Sequence, residues 1–275
     1  SREADHVYAA ALLNGEAEVQ GVEGKLGWRL EEIDQFFVTY DFKAEGLDTF
    51  SRAFGLGVPL VTVNTKTPEQ ALADRFQPNR EEVYPATVVL RFIDPLCAPD
   101  GTRTTRCRAH AEIVDPTMAH EIEIGGRRVP LETDFTIPLA FMLERQSPPN
   151  GLLEMVFPQN PTEGKGLFML QPYQPGKIPV VFVHGLMSTP YTWMPMFSDL
   201  MGDPAINQYY QFWFFAYPTG NPVVYSASQL RKSLRDAQSL YDPRGTDPAF
   251  NRMVLVGHSM GGLLAKTMVQ RTGDA

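Results

Sequence analysis

Five consecutive residues, Gly257-His258-Ser259-Met260-Gly261, carry the clearest chemistry in the sequence. They follow the apolar run Met253-Val254-Leu255-Val256 and precede Gly262-Leu263-Leu264-Ala265, so they stand where a strand gives way to a helix. A turn that sharp strains the serine backbone and leaves its hydroxyl exposed. Side chains two residues to either side would collide with neighbouring backbone, so Gly257 and Gly261 are required by space. The helix that starts here aims its positive end at the serine. Ser259 is therefore a candidate nucleophile, the bland alternative being a glycine-rich turn.

A second signal, His184-Gly185-Leu186-Met187, ends the apolar run Ile178–Val183. Together, Pro179-Val-Val-Phe-Val-His-Gly-Leu-Met187 and Val254-Leu-Val-Gly-His-Ser-Met-Gly-Gly-Leu-Leu264 resemble the α/β-hydrolase superfamily. The likeness is to its lipase and esterase branches and covers roughly residues 165–275. It implies that Ser259 attacks an acyl carbonyl and that the backbone N–H groups of Leu186 and Met260 form the oxyanion hole. One such donor is typically worth about 2.7–4 kcal/mol. By the same resemblance His184 braces the loop and is not the base. Haloalkane dehalogenases and epoxide hydrolases of this fold place an Asp at the elbow, so a serine there points to acyl transfer through an acyl-enzyme. Cleavage of a small-molecule or lipid ester leads; a thioesterase, an acyltransferase or a non-catalytic hydrolase-like scaffold are the rivals. Met187 and Trp193, with Met194 and Met196, are candidates to line an acyl pocket, or else core of the first helix. No metal or organic cofactor is implied.

The rest of a triad is missing. In this fold the order is Ser, then Asp or Glu, then His, yet only Asp274 among acids follows Ser259, and no histidine does. His6, His110, His120, His184 and His258 are the five present, and a residue flanking the elbow, as His258 is, points away from the serine. The strands expected after the nucleophile helix are absent too, which leaves a sheet edge uncovered beside Ser259. The expectation is that this chain is one segment of a longer or nicked polypeptide, and that a second segment beyond Ala275 supplies the base and its acid. A pseudo-enzyme, or a fragment without activity of its own, would read the same way.

The elements that must position these residues fall into two regions. Prolines and glycines cluster over residues 146–178 and mark a boundary, giving a mainly β, sandwich-like accessory domain over residues 1–164 and the first half of an α/β-hydrolase parallel sheet over 165–275. In the first region, residues 58–63, 86–93 and 106–113 read as strands. Residues 121–131 read as a hairpin turning on Gly125-Gly126, and short helices are expected near 3–13 and 136–145. His110 and His120 stand alone, as solvent-facing histidines do. In the second region strands are expected at 166–171, 178–183, 209–217 and 253–256. The aromatics of 209–217 suit a buried central strand better than a ligand platform. A helix should start near Ser226, whose Ser-Ala-Ser-Gln fits a capping box, with Ala227, Leu230, Leu234, Ala237 and Leu240 inward. A last helix follows Ser259, with Leu263, Leu264, Met268 and Val269 inward.

Bulk properties fit this reading. Hydrophobic residues are 43% and charged residues 20% of the 275, as in a packed globular protein. A net charge of -8 recommends no nucleic-acid partner, and no apolar run reaches the roughly 18 residues of a spanning helix. Cys97 and Cys107 flank a Pro-Asp-Gly turn that can bring their sulfurs together, a bridge worth about 2–3 kcal/mol; two free thiols are the alternative. Such a disulfide, with no methionine before Met118, leans towards an exported protein (periplasmic, envelope-associated or secreted) whose leader has been removed.

Overall fold

The computed structural model describes residues 18–25, 32–43, 50–77, 81–92, 108–146 and 166–270. The Cys97–Cys107 bridge, the helix near 3–13, His6, Asp274 and the boundary at 164/165 lie outside the described residues. The chain forms two compact units, one from Ser1–Thr65 and Val83–Met142, the other from Lys66–Glu82 and Leu143–Ala275.

In the first unit, strands β1 (Glu18–Lys25), β2 (Gln35–Val38), β3 (Arg52–Ala53) and β4 (Val58–Thr65) come first. Past the short helix α1 (Pro68–Ala73), which belongs to the second unit, come β5 (Glu81–Phe92), β6 (Arg108–Val114), β7 (Glu121–Ile124), β8 (Arg127–Pro130) and β9 (Thr133–Asp134). Five strands make one sheet in the order β1-β6-β5-β4-β2, with β1 parallel to β6 and the β5–β6 and β2–β4 pairs antiparallel. The period-two pattern puts Ala109, Ala111 and Ile113 of β6 inside. The β7–β8 hairpin turns on Gly125 and Gly126 at φ 56° and 78°, a left-handed pair that glycine adopts without strain. Its Ile122 packs with Val89, Val114 and Leu131. Helix α2 (Thr136–Gln146) begins where Asp134 Oδ1 accepts the N–H groups of Thr136 and Ile137, both at 3.0 Å.

The second unit is built on four strands: β10 (Gly166–Met169), β11 (Ile178–Val183), β12 (Tyr210–Ala216) and β13 (Val254–Gly257). Their order is β10-β12-β11-β13. The last three are mutually parallel, whereas β10 runs antiparallel to β12. The all-parallel expectation fails at β10 because only residues 170–177 join it to β11, too few for a parallel crossover of a dozen or more. Helix α3 (Met194–Gly202) lies between β11 and β12, α4 (Pro204–Asn207) follows it, and α5 (Val223–Tyr241) and α6 (Met260–Val269) lie after β12 and β13.

Strand β12 explains why both faces carry helices. Alternate side chains of Tyr-Gln-Phe-Trp-Phe-Phe-Ala point opposite ways. Phe212 and Phe214 meet Phe182 and, edge-on, Phe197 of α3 at ring distances of 5.9 and 5.6 Å. Trp213 and Phe215 join Leu230 and Ala237 of α5 and Leu264 of α6 in the main core. The aromatics are thus core. Phe76, from the segment after α1, enters the same cluster, and its carbonyl accepts the Met169 N–H at 2.8 Å. No periodicity in the sequence advertises that a stretch so far upstream completes this core.

Two helix expectations need correction. Helix α5 starts at Val223, not Ser226: Pro222 at φ -54° precedes it, and no side chain caps it. Ser226 sits inside the helix, buried, so the capping box does not form. Leu240 is exposed at its far end, as are Leu263 and Val269 of α6. On α6, Met260, Leu264 and Met268, spaced four apart, face the core, while Leu263, about 100° around from Leu264, does not.

Leu230 is fully buried at the centre of the main cluster. Leu230→Ala should destabilise the protein by about 2–5 kcal/mol, read as a shift in denaturant midpoint.

Candidate active site

The second unit's parallel strands bring the two motifs together. From β11 the chain crosses to β12 on one side, then returns to β13 on the other. The carboxyl ends of β11 and β13 therefore lie side by side where the winding reverses, the place where open α/β sheets bind ligands. Val183 pairs with Gly257, so the His184–Met187 loop and the elbow leave the sheet together.

Ser259 sits at φ 53° and ψ -120°, in a region that a non-glycine residue enters only at a cost of about 1–3 kcal/mol. It occupies the N-cap of α6, whose first turn carries no acid, so the helix's positive end faces the serine. Three hydrogen bonds hold the elbow: His258 N–H to Val183 O at 3.1 Å, and Gly261 and Gly262 N–H to the carbonyls of His258 and Ser259, both at 2.9 Å. The glycines are steric requirements. A Cβ on Gly261 would overlap the carbonyls of Val183 and His184, and one on Gly257 would lie 2.5 Å from Gly261 O. Gly185 is less tightly confined: a Cβ there would stand 2.8 Å from His258 Nδ1 and 3.2 Å from the Cβ of Ser259.

The loop after β11 is braced from β12. His184 is only 2% exposed. Its Nδ1 lies 3.1 Å from Gly185 O, its Nε2 accepts the Tyr217 N–H at 3.4 Å, and its ring stacks on Tyr217 at 4.4 Å. Tyr217 returns its hydroxyl proton to His184 O at 2.7 Å. Burial holds the His184 imidazole below its ordinary value, outweighing the opposing contact with Gly185 O, and burial pushes the Tyr217 phenol up to about 12. Both ring nitrogens of His184 are thus engaged within the loop and with Tyr217. Tyr217 and Thr219 escaped the sequence reading, because nothing local marks a strand-end tyrosine as the partner of a residue 33 positions earlier.

Met187 is the other non-glycine residue of positive φ, 52°, among the described residues. Its N–H donates to Thr219 Oγ1 at 3.3 Å. Among the described residues the Leu186 N–H makes no backbone hydrogen bond, and Met260, first residue of its helix, has no intrahelical carbonyl to donate to. Leu186 is 58% and Met187 84% exposed. Trp193 is buried against Phe182 at 5.0 Å, with Met194 also in the core, whereas Met196 is exposed. Ser259 and His258 are exposed as well. Strand β13 has β11 on one side and, among the described residues, no strand on the other.

Residues 174–273 match a family model described as PGAP1-like alpha/beta domain. That family is α/β-hydrolase-like. Over that stretch the second unit is similar to an α/β-hydrolase-like domain. The match spans less than half of the chain, from just before β11 to the end of α6. No curated protein and no solved structure matches the chain.

The buried His184 predicts a pH effect on stability. The folded state prefers the neutral ring, so as pH falls the unfolded chain takes up the proton first, from about pH 6.5. The stability present above that pH should decline below it until the folded ring also protonates. Denaturation of the protein and of His184→Gln at pH 7.5 and pH 5 should show a smaller loss in the variant.

Proposed function

We propose that the protein is a serine hydrolase that cleaves carboxylic esters through an acyl-enzyme on Ser259. The observation that carries this reading is the strained, exposed serine at φ 53°, wedged by three glycines against the end of β11. Strain of this kind is kept where it positions a reacting group. Ser259 Oγ attacks the acyl carbonyl and loses its proton to a base, and the carbonyl π pair moves to oxygen. The Leu186 and Met260 N–H groups donate to that oxyanion. Collapse expels the alcohol, which takes the proton from the base. Water then adds to the acyl-enzyme and releases the acid and the free serine.

Within the described part of the second unit neither histidine serves as that base. His184 is committed to Gly185 and Tyr217, and His258 flanks the elbow with its Nδ1 against Gly185. On this reading the base and its acid come from outside the described residues of the second unit. Of the four suggested acyl-pocket residues, Met187 and Met196 are exposed, whereas Trp193, packed on Phe182, and Met194 are buried in the core. The first unit is proposed as an accessory domain, and the whole as an exported protein acting on a small-molecule or lipid ester.

Exposure of the purified protein to a fluorophosphonate, followed by intact-mass spectrometry, tests the assignment. One adduct is expected, lost in Ser259→Ala, and any additional polypeptide in the spectrum becomes the source of the base. A protein that turns over no ester and takes no adduct would be a hydrolase-like scaffold. Added alcohol acceptor separates a hydrolase from an acyltransferase by its products.

A further inference from the structure

A cavity of about 270 Å³ lies within the second unit, away from the elbow. Its walls are the carboxyl end of β12, the start of β10, Arg75 with Phe76, and the first three turns of α5. No residue of β13, the elbow or the His184–Met187 loop lines it. Since β12 and β13 are two places apart in the sheet, the cavity stands about 10 Å or more to the side of Ser259.

Its chemistry is one-sided. Two cations, Arg75 and Lys232, line it together with the amides of Asn221 and Gln229, and among the described residues no carboxylate does. Arg75 is held from outside the wall by Asp236 at 2.5 Å, which uses part of its five-donor fork. Lys232 makes no ion pair among the described residues. Helix α5 adds the same sign. It starts without a side-chain cap or an acid in its first turn, so its leading N–H groups remain free beside the cavity.

Converging cations, neutral donors and a bare helix start fit a multiply charged oxyanion. The volume exceeds what the anion alone fills, and Phe215 and Leu167 offer apolar wall to the remainder. We propose that this cavity is a binding site for a phosphate monoester, independent of the chemistry at Ser259.

Isothermal titration calorimetry with glycerol 3-phosphate, and co-sedimentation with phosphatidylcholine vesicles containing phosphatidic acid, test the site and separate a free metabolite from a lipid headgroup. Glycerol 3-phosphate should bind, with Lys232→Glu and Arg75→Ala each weakening it about tenfold or more. Arg235→Glu, an equal charge change on the exposed side of the same helix, should leave binding unchanged. Binding to the vesicles alone, lost in Lys232→Glu and kept in Arg235→Glu, would assign the site to a lipid headgroup. No binding to either probe, or equal binding in Lys232→Glu, overturns the proposal. Ser259→Ala should bind as the unaltered protein does, and Lys232→Glu should still take the fluorophosphonate. Failure here is thereby distinguished from failure of the hydrolase reading.

Discussion

The contact on which the second unit's site depends is backbone against backbone: Gly261 of the elbow beneath the carbonyls of Val183 and His184. There is no room for even one methyl group between them. That approach sets how near β13 and its helix come to the loop after β11, and so how near the amides of Leu186 and Met260 come to Ser259. Gly257, closed against Gly261 and Gly262, and Gly185, closed against Ser259, extend the same constraint over both turns. Three glycines contribute to the site by what they lack.

Around that contact the sheet supplies rigidity. Strand β12 is aromatic on both faces, so it is held by α3 on one side and by α5 and α6 on the other. Its end carries Tyr217 and Thr219, whose hydroxyls reach the loop after β11. The strain at Ser259 and Met187 is held by these neighbours; a turn alone in water would relax. A buried neutral histidine is part of the same brace, which is why its ring is engaged on both edges.

Towards β13 the described residues are packed less closely. Val254, Leu263 and Val269 are exposed there, and the elbow itself is open. An edge strand with free backbone groups next to apolar side chains is a surface that proteins normally cover. The contrast with the tightly filled core two strands away is physical: among the described residues β12 has neighbours on both edges and both faces, β13 on one edge only.

The sequence by itself determined the local features. Period-two and continuously apolar runs gave β4, β6, β11, β12 and β13, and the Gly-x-Ser-x-Gly spacing between strand and helix located the elbow, because these depend on neighbours in the chain. It did not determine the helix start at Val223, where Pro222 overrode the Ser226 pattern, nor which leucines of α5 and α6 would stay wet. Tertiary structure alone decided that the segment Lys66–Glu82 joins the second unit through Phe76, that β10 runs antiparallel, and that Tyr217 and Thr219 brace the loop. These are pairings between residues distant in the chain, selected by packing volume and by hydrogen bonds that no local pattern encodes.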